Sequence, residues 1–167
     1  FTRGYAPTGL APNDDYRVAE QARDILALHE ALGGGDDAAL VGHDWGAVAT
    51  WAVTASEPER FSKYVAMSVP PPAAILAPLK SVRTLPIAVR QLRMSWYFLF
   101  NQLPGSERAL DWLIPKLWED WSPGYDAGED LPRVFEALDG PGRRRAALRY
   151  YRNTLTTGPG ELASILP

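Results

Sequence analysis

A Gly-His-Asp-Trp-Gly stretch at 42–46 constrains the fold of this chain more than any other feature of its sequence. It follows a short apolar segment at 38–42 and precedes a segment rich in Ala and Trp at 46–56. The length of the first segment and its lack of alternation predict a strand that is buried on both faces of a parallel sheet, and the second segment predicts a helix. The flanking glycines indicate a sharp turn from strand to helix, with strained backbone at Asp44 and no room for a side chain at either glycine.

The segments around this turn alternate between helix and strand. A one-sided apolar stripe predicts a helix over 17–32, and a second apolar run predicts a strand over 64–69. This alternation, which lasts up to a triple proline at 70–72, is typical of an α/β layer fold with a parallel sheet. Beyond the prolines no strand is predicted, and four helical segments follow at 86–102, 107–121, 130–139 and 142–156. We therefore predict a partial α/β core at 1–70 and an all-helical domain at 71–167.

The composition excludes several classes of protein. The chain has 167 residues, and its 17 Lys and Arg against 20 Asp and Glu give a formal charge of −3, whereas nucleic-acid binders carry a strong basic excess. No apolar run approaches the ~20 residues that a membrane span needs. Because there is no Cys, neither a disulfide framework nor thiolate chemistry is available. This fits a reducing compartment, and we expect a cytoplasmic protein with no nucleic-acid and no membrane partner.

An Asp at a strand-to-helix turn has distinctive chemistry. The pattern matches the nucleophile elbow, Gly-x-nucleophile-x-Gly, with Asp44 in the usual Ser position. A carboxylate is ionised near neutral pH, so it can displace a leaving group from an sp³ carbon without help from a base. Water must then hydrolyse the resulting ester, and this step needs a general base, usually His. A simpler alternative is that Asp44 only caps the next helix, but capping does not explain the two glycines.

The sequence Ala-Leu-Val-Gly-His-Asp-Trp-Gly-Ala at 39–47 resembles the nucleophile elbow of epoxide hydrolases of the α/β-hydrolase fold. The Arg-Gly-Tyr at 3–5 is similar to an Arg-Gly-aromatic turn of that family, and the segments at 95–105 and 149–153 are similar to its two lid-tyrosine segments. The resemblance implies an α/β-hydrolase fold with a partial parallel sheet, flanking helices and a helical cap or lid. It also implies an enzyme that uses no metal and no organic cofactor.

The same resemblance implies a role for each candidate site residue. Asp44 would attack an epoxide carbon, and the backbone N–H of Trp45 would form half of an oxyanion hole. Tyr97 and Tyr151 would bind the epoxide oxygen from the lid, one of them donating a proton as the ring opens. Tyr150, about 100° from Tyr151 around the same helix, is the less favoured alternative. The substrate would be a small apolar epoxide, and the aromatic residues that suggest an apolar pocket are Trp96, Phe98, Phe100 and Trp112.

The histidines depart from the family pattern. The chain has two, at 29 and 43. We predict that His43, next to the nucleophile, is structural and points away from it, and that His29 is packed or lies at the surface. The family's His-Gly loop before the Arg-Gly turn and its acid and His after the lid have no counterpart here. We therefore expect an internal part of a longer protein, without the N-terminal strands and the C-terminal catalytic part, that does not turn over on its own.

Two other functions stay open at this level. A haloalkane dehalogenase uses the same Asp nucleophile, and the indole N–H of Trp45 could then hold the halide. A non-catalytic member of the fold could bind a small apolar molecule under its lid. The tyrosines at 97 and 151 favour the epoxide hydrolase, because a phenol suits an alkoxide better than a halide. The sequence does not indicate an oligomeric state.

Overall fold

The structure, a computed structural model of the chain, describes residues 1–156. These residues form two compact units. One, which we call the elbow unit, is built from Arg17–Ser95, and the other, the helical unit, combines Phe1–Tyr16 with Trp96–Arg152. The division into a hydrolase core at 1–70 and a cap at 71–167 stays a prediction. None of the helices within the described range is long and apolar enough to cross a membrane.

The elbow unit begins with alternating helices and strands and ends in short helices. Its elements are α1 (Val18–Ala31), β1 (Ala39–His43), α2 (Trp45–Ser56), β2 (Lys63–Met67), α3 (Pro72–Leu76), a 3-10 turn at Ala77–Lys80 and α4 (Leu85–Met94). The first four elements agree with the predicted alternation to within two residues at each boundary, because their apolar patterns are local. Helix α4 falls within the helical segment predicted at 86–102, whereas α3 and the 3-10 turn after it were not predicted.

The two strands lie side by side and parallel, with Val41 opposite Val65. Helix α2 connects them, as a parallel pair requires. The predicted α/β architecture with a small parallel sheet is therefore observed. The core of the unit lies between this sheet and the helices α1 and α2, with Val53 completely buried and Leu40 and Tyr64 packed against it.

The prediction that the strands are buried on both faces is wrong for the described residues. Val41 is 58% exposed, and Val65 and Met67 are each 44% exposed. Alternate residues of a strand point to opposite faces, so Leu40 and Tyr64 reach the helices while these three side chains face the other way. Helices α1 and α2 pack on the face that carries Leu40 and Tyr64, and the side chains of Val41, Val65 and Met67 on the opposite face are exposed.

The helical unit contains α5 (Trp96–Phe100), a 3-10 turn at Ser106–Ala109, α6 (Leu110–Trp121), α7 (Asp130–Ala137) and α8 (Arg143–Thr156). Its core joins α5, α6 and α8 through buried side chains that include Leu113 and Leu148, each 1% exposed. The predicted single helix over 86–102 is wrong, because the chain leaves helical geometry at Ser95 (φ −95°, ψ 16°) and begins α5 after it. The Arg-Gly-Tyr segment at 3–5 forms a turn with Gly4 at φ +89°.

Candidate active site

Asp44 occupies the sharp turn that its sequence predicts. It lies between the end of β1 and the start of α2, at the carboxyl edge of the sheet, and its backbone N–H donates to the carbonyl oxygen of Met67 at 3.2 Å. Its φ of +52° and ψ of −117° are rare for any residue with a side chain. Such strain costs of the order of 1–3 kcal/mol and clusters at functional sites. The elbow thus holds Asp44 in a conformation that a simple loop would avoid.

The Asp44 side chain does not cap α2. It is exposed and makes no capping hydrogen bond to the helix that starts beside it. The backbone carbonyl of Asp44 instead accepts from the N–H groups of Ala47 and Val48, at 2.9 and 3.1 Å. Because the carboxylate stays out of the helix while the main chain begins it, the capping alternative fails. The helix dipole favours a negative charge at the start of a helix, and the Asp44 carboxylate lies at this position.

The two glycines of the elbow differ in the space around them. A Cβ built on Gly42 would lie 2.2 Å from the carbonyl oxygen of Gly46 and 2.3 Å from Oγ1 of Thr50, whereas one built on Gly46 would meet nothing within 4 Å. The predicted collision at both glycines is therefore correct at Gly42 and wrong at Gly46. Gly42 is needed because the first turn of α2 passes directly over the end of β1.

The two histidines have separate surroundings within the elbow unit. His43, the last residue of β1, is exposed. The ring of His29 packs edge-on against Phe61 with a centroid distance of 4.5 Å, and neither of its ring nitrogens has a hydrogen-bond partner. His29 is thus a packed side chain, one of the two alternatives predicted for it.

Tyr97 and Tyr151 lie together in the helical unit. Their ring centroids are 5.7 Å apart and the rings meet edge to face, although 54 positions separate them in the chain. Tyr97 is 8% exposed and Tyr151 is half-buried. The ring of Phe98 contacts both, at 5.1 Å from Tyr97 and 4.9 Å from Tyr151. The residues that the resemblance paired are therefore neighbours in the fold.

Tyr150 points elsewhere and has a structural partner. It is 1% exposed, and its hydroxyl donates to the backbone carbonyl oxygen of Arg3 at 2.7 Å. Its ring lies against Tyr5 at 6.0 Å and Tyr16 at 5.5 Å. The Arg-Gly-Tyr turn at 3–5 thus packs on one face of α8, and Tyr151 projects from another.

The other aromatic residues that the sequence suggests as pocket lining divide into two groups. Trp96, Phe100 and Trp112 contact one another with centroid distances of 5.8, 6.1 and 6.0 Å. Phe98 contacts Tyr97 and Tyr151 instead.

Two further residues beside the tyrosines were not predicted from the sequence. The ring of Trp121 meets Tyr97 edge-on at 5.0 Å, and the side-chain amide of Gln102 donates to the carbonyl oxygen of Tyr151 at 3.3 Å. Their roles depend on contacts between helices that are distant in the chain, so no local pattern reveals them.

Clusters that could hold a metal ion are not found within residues 1–156, where no three His, Asp or Glu side chains come together. The chemistry available in the described residues is that of a carboxylate at a strained turn and of paired phenols on helices.

This fold corresponds to a known family. Residues 2–113, more than half of the chain, match the family model described as the alpha/beta hydrolase fold. The chain therefore belongs to the alpha/beta hydrolase fold family.

Individual relatives include named epoxide hydrolases. The chain is 30% identical over 160 residues to the AB hydrolase superfamily protein YfhM of Bacillus subtilis, covering 90% of this chain and 52% of that protein. It is 28% identical over 170 residues to epoxide hydrolase A of Mycobacterium tuberculosis, covering 99% of this chain and 45% of that protein. The chain thus spans about half the length of these curated relatives. The resemblance to epoxide hydrolases is confirmed by these similarities.

A solved structure has the same fold. It comes from Klebsiella pneumoniae and is provisionally described as an epoxide hydrolase. The two structures superpose with a TM-score of 0.65 at 21% sequence identity, over 99% of this chain and 56% of the other. At this identity the likeness shows the fold alone, and the predicted fold class is confirmed.

Proposed function

We propose that this chain carries the nucleophile and the acid groups of an enzyme that opens epoxides to vicinal diols. The observation that carries the proposal is the backbone of Asp44, at φ +52° between β1 and α2, with a carboxylate that is exposed and not used as a helix cap. Nothing about local folding requires an Asp in this conformation. A nucleophile whose side chain projects from the edge of the sheet does require this backbone conformation.

The first chemical step is a displacement at carbon. A carboxylate oxygen of Asp44 bonds to an epoxide carbon while the bond between that carbon and the ring oxygen breaks. The electron pair stays on the ring oxygen, which takes a proton from a phenol. Asp44 then carries a hydroxyalkyl ester. Water hydrolyses this ester, which releases the diol, restores the carboxylate and returns a proton to the phenolate. The substrate is a small apolar epoxide, and no cofactor or metal takes part.

The tyrosine pair favours an epoxide over an alkyl halide. An alkoxide is a poor leaving group unless it is protonated, whereas a halide leaves without a proton. The rings of Tyr97 and Tyr151 are in contact, and two phenols are suited to an epoxide substrate. One phenol can donate the proton to the epoxide oxygen while the other hydrogen-bonds the same oxygen. The names of the relatives from Mycobacterium tuberculosis and Caenorhabditis elegans, both epoxide hydrolases, agree with this choice.

A role for the Trp45 backbone N–H as half of an oxyanion hole is part of the proposal. Trp45 is the first residue of α2 and directly follows the nucleophile. The amide N–H groups at the start of a helix carry the positive end of the helix dipole and favour negative charge. During ester hydrolysis, charge develops on the carbonyl oxygen of the Asp44 ester, and a donor beside it would stabilise that charge.

Covalent labelling tests the proposal. The chain is incubated with styrene oxide, its intact mass is measured, and the modified peptide is sequenced by tandem mass spectrometry. We expect one adduct per chain, located on Asp44, and no adduct at that peptide in Asp44→Asn, which keeps the shape but removes the nucleophilic charge. Asp24→Asn, in the middle of α1, is the matched control and should be labelled like the wild type.

The same experiment separates the alternatives. Labelling of Asp44 by 2-phenylethyl bromide, with styrene oxide inert, would identify a haloalkane dehalogenase. Binding of an apolar ligand without a covalent adduct from either reagent would identify a non-catalytic member of the fold. Either result overturns the proposed reaction.

A further inference from the structure

The two tyrosines are held by one polar side chain between their helices. Gln102 follows α5, and its side-chain amide nitrogen donates to the carbonyl oxygen of Phe98 at 3.1 Å and to that of Tyr151 at 3.3 Å. The first carbonyl belongs to the residue beside Tyr97, and the second belongs to Tyr151 itself. A single amide group therefore connects the main chains that carry both phenols.

Arg152, the residue after Tyr151, makes a second connection between the same segments. Its guanidinium donates to the carbonyl oxygens of Asn101 at 2.9 Å and Leu103 at 3.1 Å. It also donates to Oγ of Ser106 at 3.1 Å and Oε2 of Glu107 at 3.3 Å. Since all four acceptors lie in the loop and 3-10 turn after α5, Arg152 fixes that segment against α8.

The surroundings of this network make it stiff. Asn101 is 2% exposed and Ser106 is 5% exposed, and the hydroxyl of Ser106 also donates to the carbonyl oxygen of Asn101 at 3.3 Å. The pKa of Glu107 is lowered by its own backbone N–H and by Arg152, which outweigh partial desolvation, so its carboxylate stays charged at neutral pH. Hydrogen bonds to charged groups are stronger than those between neutral ones.

We propose that Gln102 and Arg152 form a clamp whose function is to set the distance and angle between the Tyr97 and Tyr151 hydroxyls. This inference rests on the proposed function, because it concerns how the two phenols meet one epoxide oxygen. Both are positioning residues, since their bonds go to main-chain carbonyls and loop side chains. Two phenols share one oxygen only if their separation is held, and a misplacement of 1 Å can cost about a hundredfold in rate.

The clamp has a consequence that depends on the leaving group. Ring opening of an epoxide needs a proton from a phenol, whereas loss of bromide from an alkyl bromide needs none, although Asp44 attacks carbon in both reactions. Loosening the clamp should therefore slow labelling of Asp44 by styrene oxide and leave labelling by 2-phenylethyl bromide unchanged. A general loss of folding would slow both.

The experiment measures the labelling rate of Asp44 by each reagent in three forms of the chain. Gln102→Glu keeps the shape of the side chain and removes its N–H donors. Gln91→Glu makes the same chemical change on α4, where Gln91 donates to the side chain of Ser95 at 3.2 Å and lies outside the helical unit. We expect Gln102→Glu to lower the styrene oxide rate about tenfold or more, within the range of general acid catalysis. Gln91→Glu should react like the wild type.

A double-variant cycle shows whether the clamp acts through the phenols. In chains that also carry Tyr97→Phe and Tyr151→Phe, Gln102→Glu should have no further effect on the styrene oxide rate. An equal loss with and without the phenols, or an equal loss with both reagents, would overturn the clamp and leave the proposed function standing. If styrene oxide does not label Asp44 in the wild type, the proposed function fails, and the role of the clamp fails with it.

Discussion

Tyr150 and Tyr151 are adjacent in the sequence, but their hydroxyls have different surroundings. The Tyr150 ring is enclosed by the turn at 3–5, and its hydroxyl bonds the Arg3 carbonyl oxygen at 2.7 Å. The Tyr151 ring is half-buried between Tyr97 and Phe98. At the scale of single residues, the structural partner of Tyr150 and the proposed chemical role of Tyr151 therefore predict different effects of the same substitution.

We expect Tyr150→Phe to lower stability and Tyr151→Phe to lower reactivity. Removing the Tyr150 hydroxyl takes a hydrogen bond from the partly buried carbonyl oxygen of Arg3, which costs about 0.5–1.5 kcal/mol in the free energy of unfolding. Tyr151→Phe keeps the ring contacts but removes a proton donor. Urea denaturation and the rate of Asp44 labelling by styrene oxide measure the two effects. Slower labelling in Tyr150→Phe than in Tyr151→Phe would reverse the assignment.

The glycines of the elbow give a matched pair of substitutions. In Gly42→Ala the new Cβ would meet the Gly46 carbonyl oxygen at 2.2 Å, and such overpacking costs about 1–3 kcal/mol or more. In Gly46→Ala the Cβ meets nothing within 4 Å, and Ala is preferred over Gly in a helix by up to about 1 kcal/mol. Thermal unfolding should show Gly42→Ala destabilised and Gly46→Ala unchanged or more stable. A similar loss in both would contradict the close contact of α2 with β1.

At the scale of secondary structure, the bounds of a helix or strand could be predicted where neighbouring residues in the sequence determine them. The bounds of α1, β1, α2 and β2 could be predicted because each has its own apolar pattern. The break at Ser95 could not, since both sides of it are apolar and helix-forming, and only packing decides where one helix ends. Likewise, glycines two residues before and two residues after Asp44 identify it in the sequence. Gln102 has no such local signal, because the carbonyl oxygen that it contacts belongs to Tyr151, 49 residues away.

An ion pair between two helices makes stability depend on pH. The guanidinium of Arg144 on α8 donates to both carboxylate oxygens of Asp111 on α6, each at 2.8 Å. The hydrogen bond from Arg144 lowers the pKa of Asp111, and the same bond raises the pKa of Arg144. Because the pKa of Asp111 is lower in the folded than in the unfolded chain, the pair stabilises the fold above about pH 4, the ordinary value for Asp. This stabilisation is lost as the pH falls through the folded pKa.

We therefore expect Asp111→Asn to destabilise the chain at pH 7 and to match the wild type in strong acid. The loss should be below about 1 kcal/mol, because the pair is exposed to solvent. Asp120→Asn is the control, since Asp120 also lies on α6 but pairs with Lys116 on the same helix. Urea denaturation at several pH values measures the difference. If Asp111→Asn differs from the wild type equally at pH 3 and pH 7, the pair does not act as described.

At the scale of the whole molecule, the proposed reaction needs a general base in addition to the proposed nucleophile, Asp44, and the proposed proton donors, Tyr97 and Tyr151. Hydrolysis of the ester on Asp44 needs a base close to that ester. The chain has two histidines. His29 is packed against Phe61, and His43 is the exposed last residue of β1, directly before the proposed nucleophile. The ester should therefore form faster than it is hydrolysed.

We expect the 167-residue chain to react once with styrene oxide and then stop. The adduct on Asp44 should accumulate to one per chain, and the diol released should stay below one equivalent. Added imidazole should accelerate loss of the adduct, because it is a general base, whereas N-methylpyridinium, which has no basic nitrogen, should not. Intact mass and chromatographic diol assays over several hours measure both quantities, and Asp44→Asn gives the background. Diol released in many equivalents by the chain alone would mean that a base within it serves the ester.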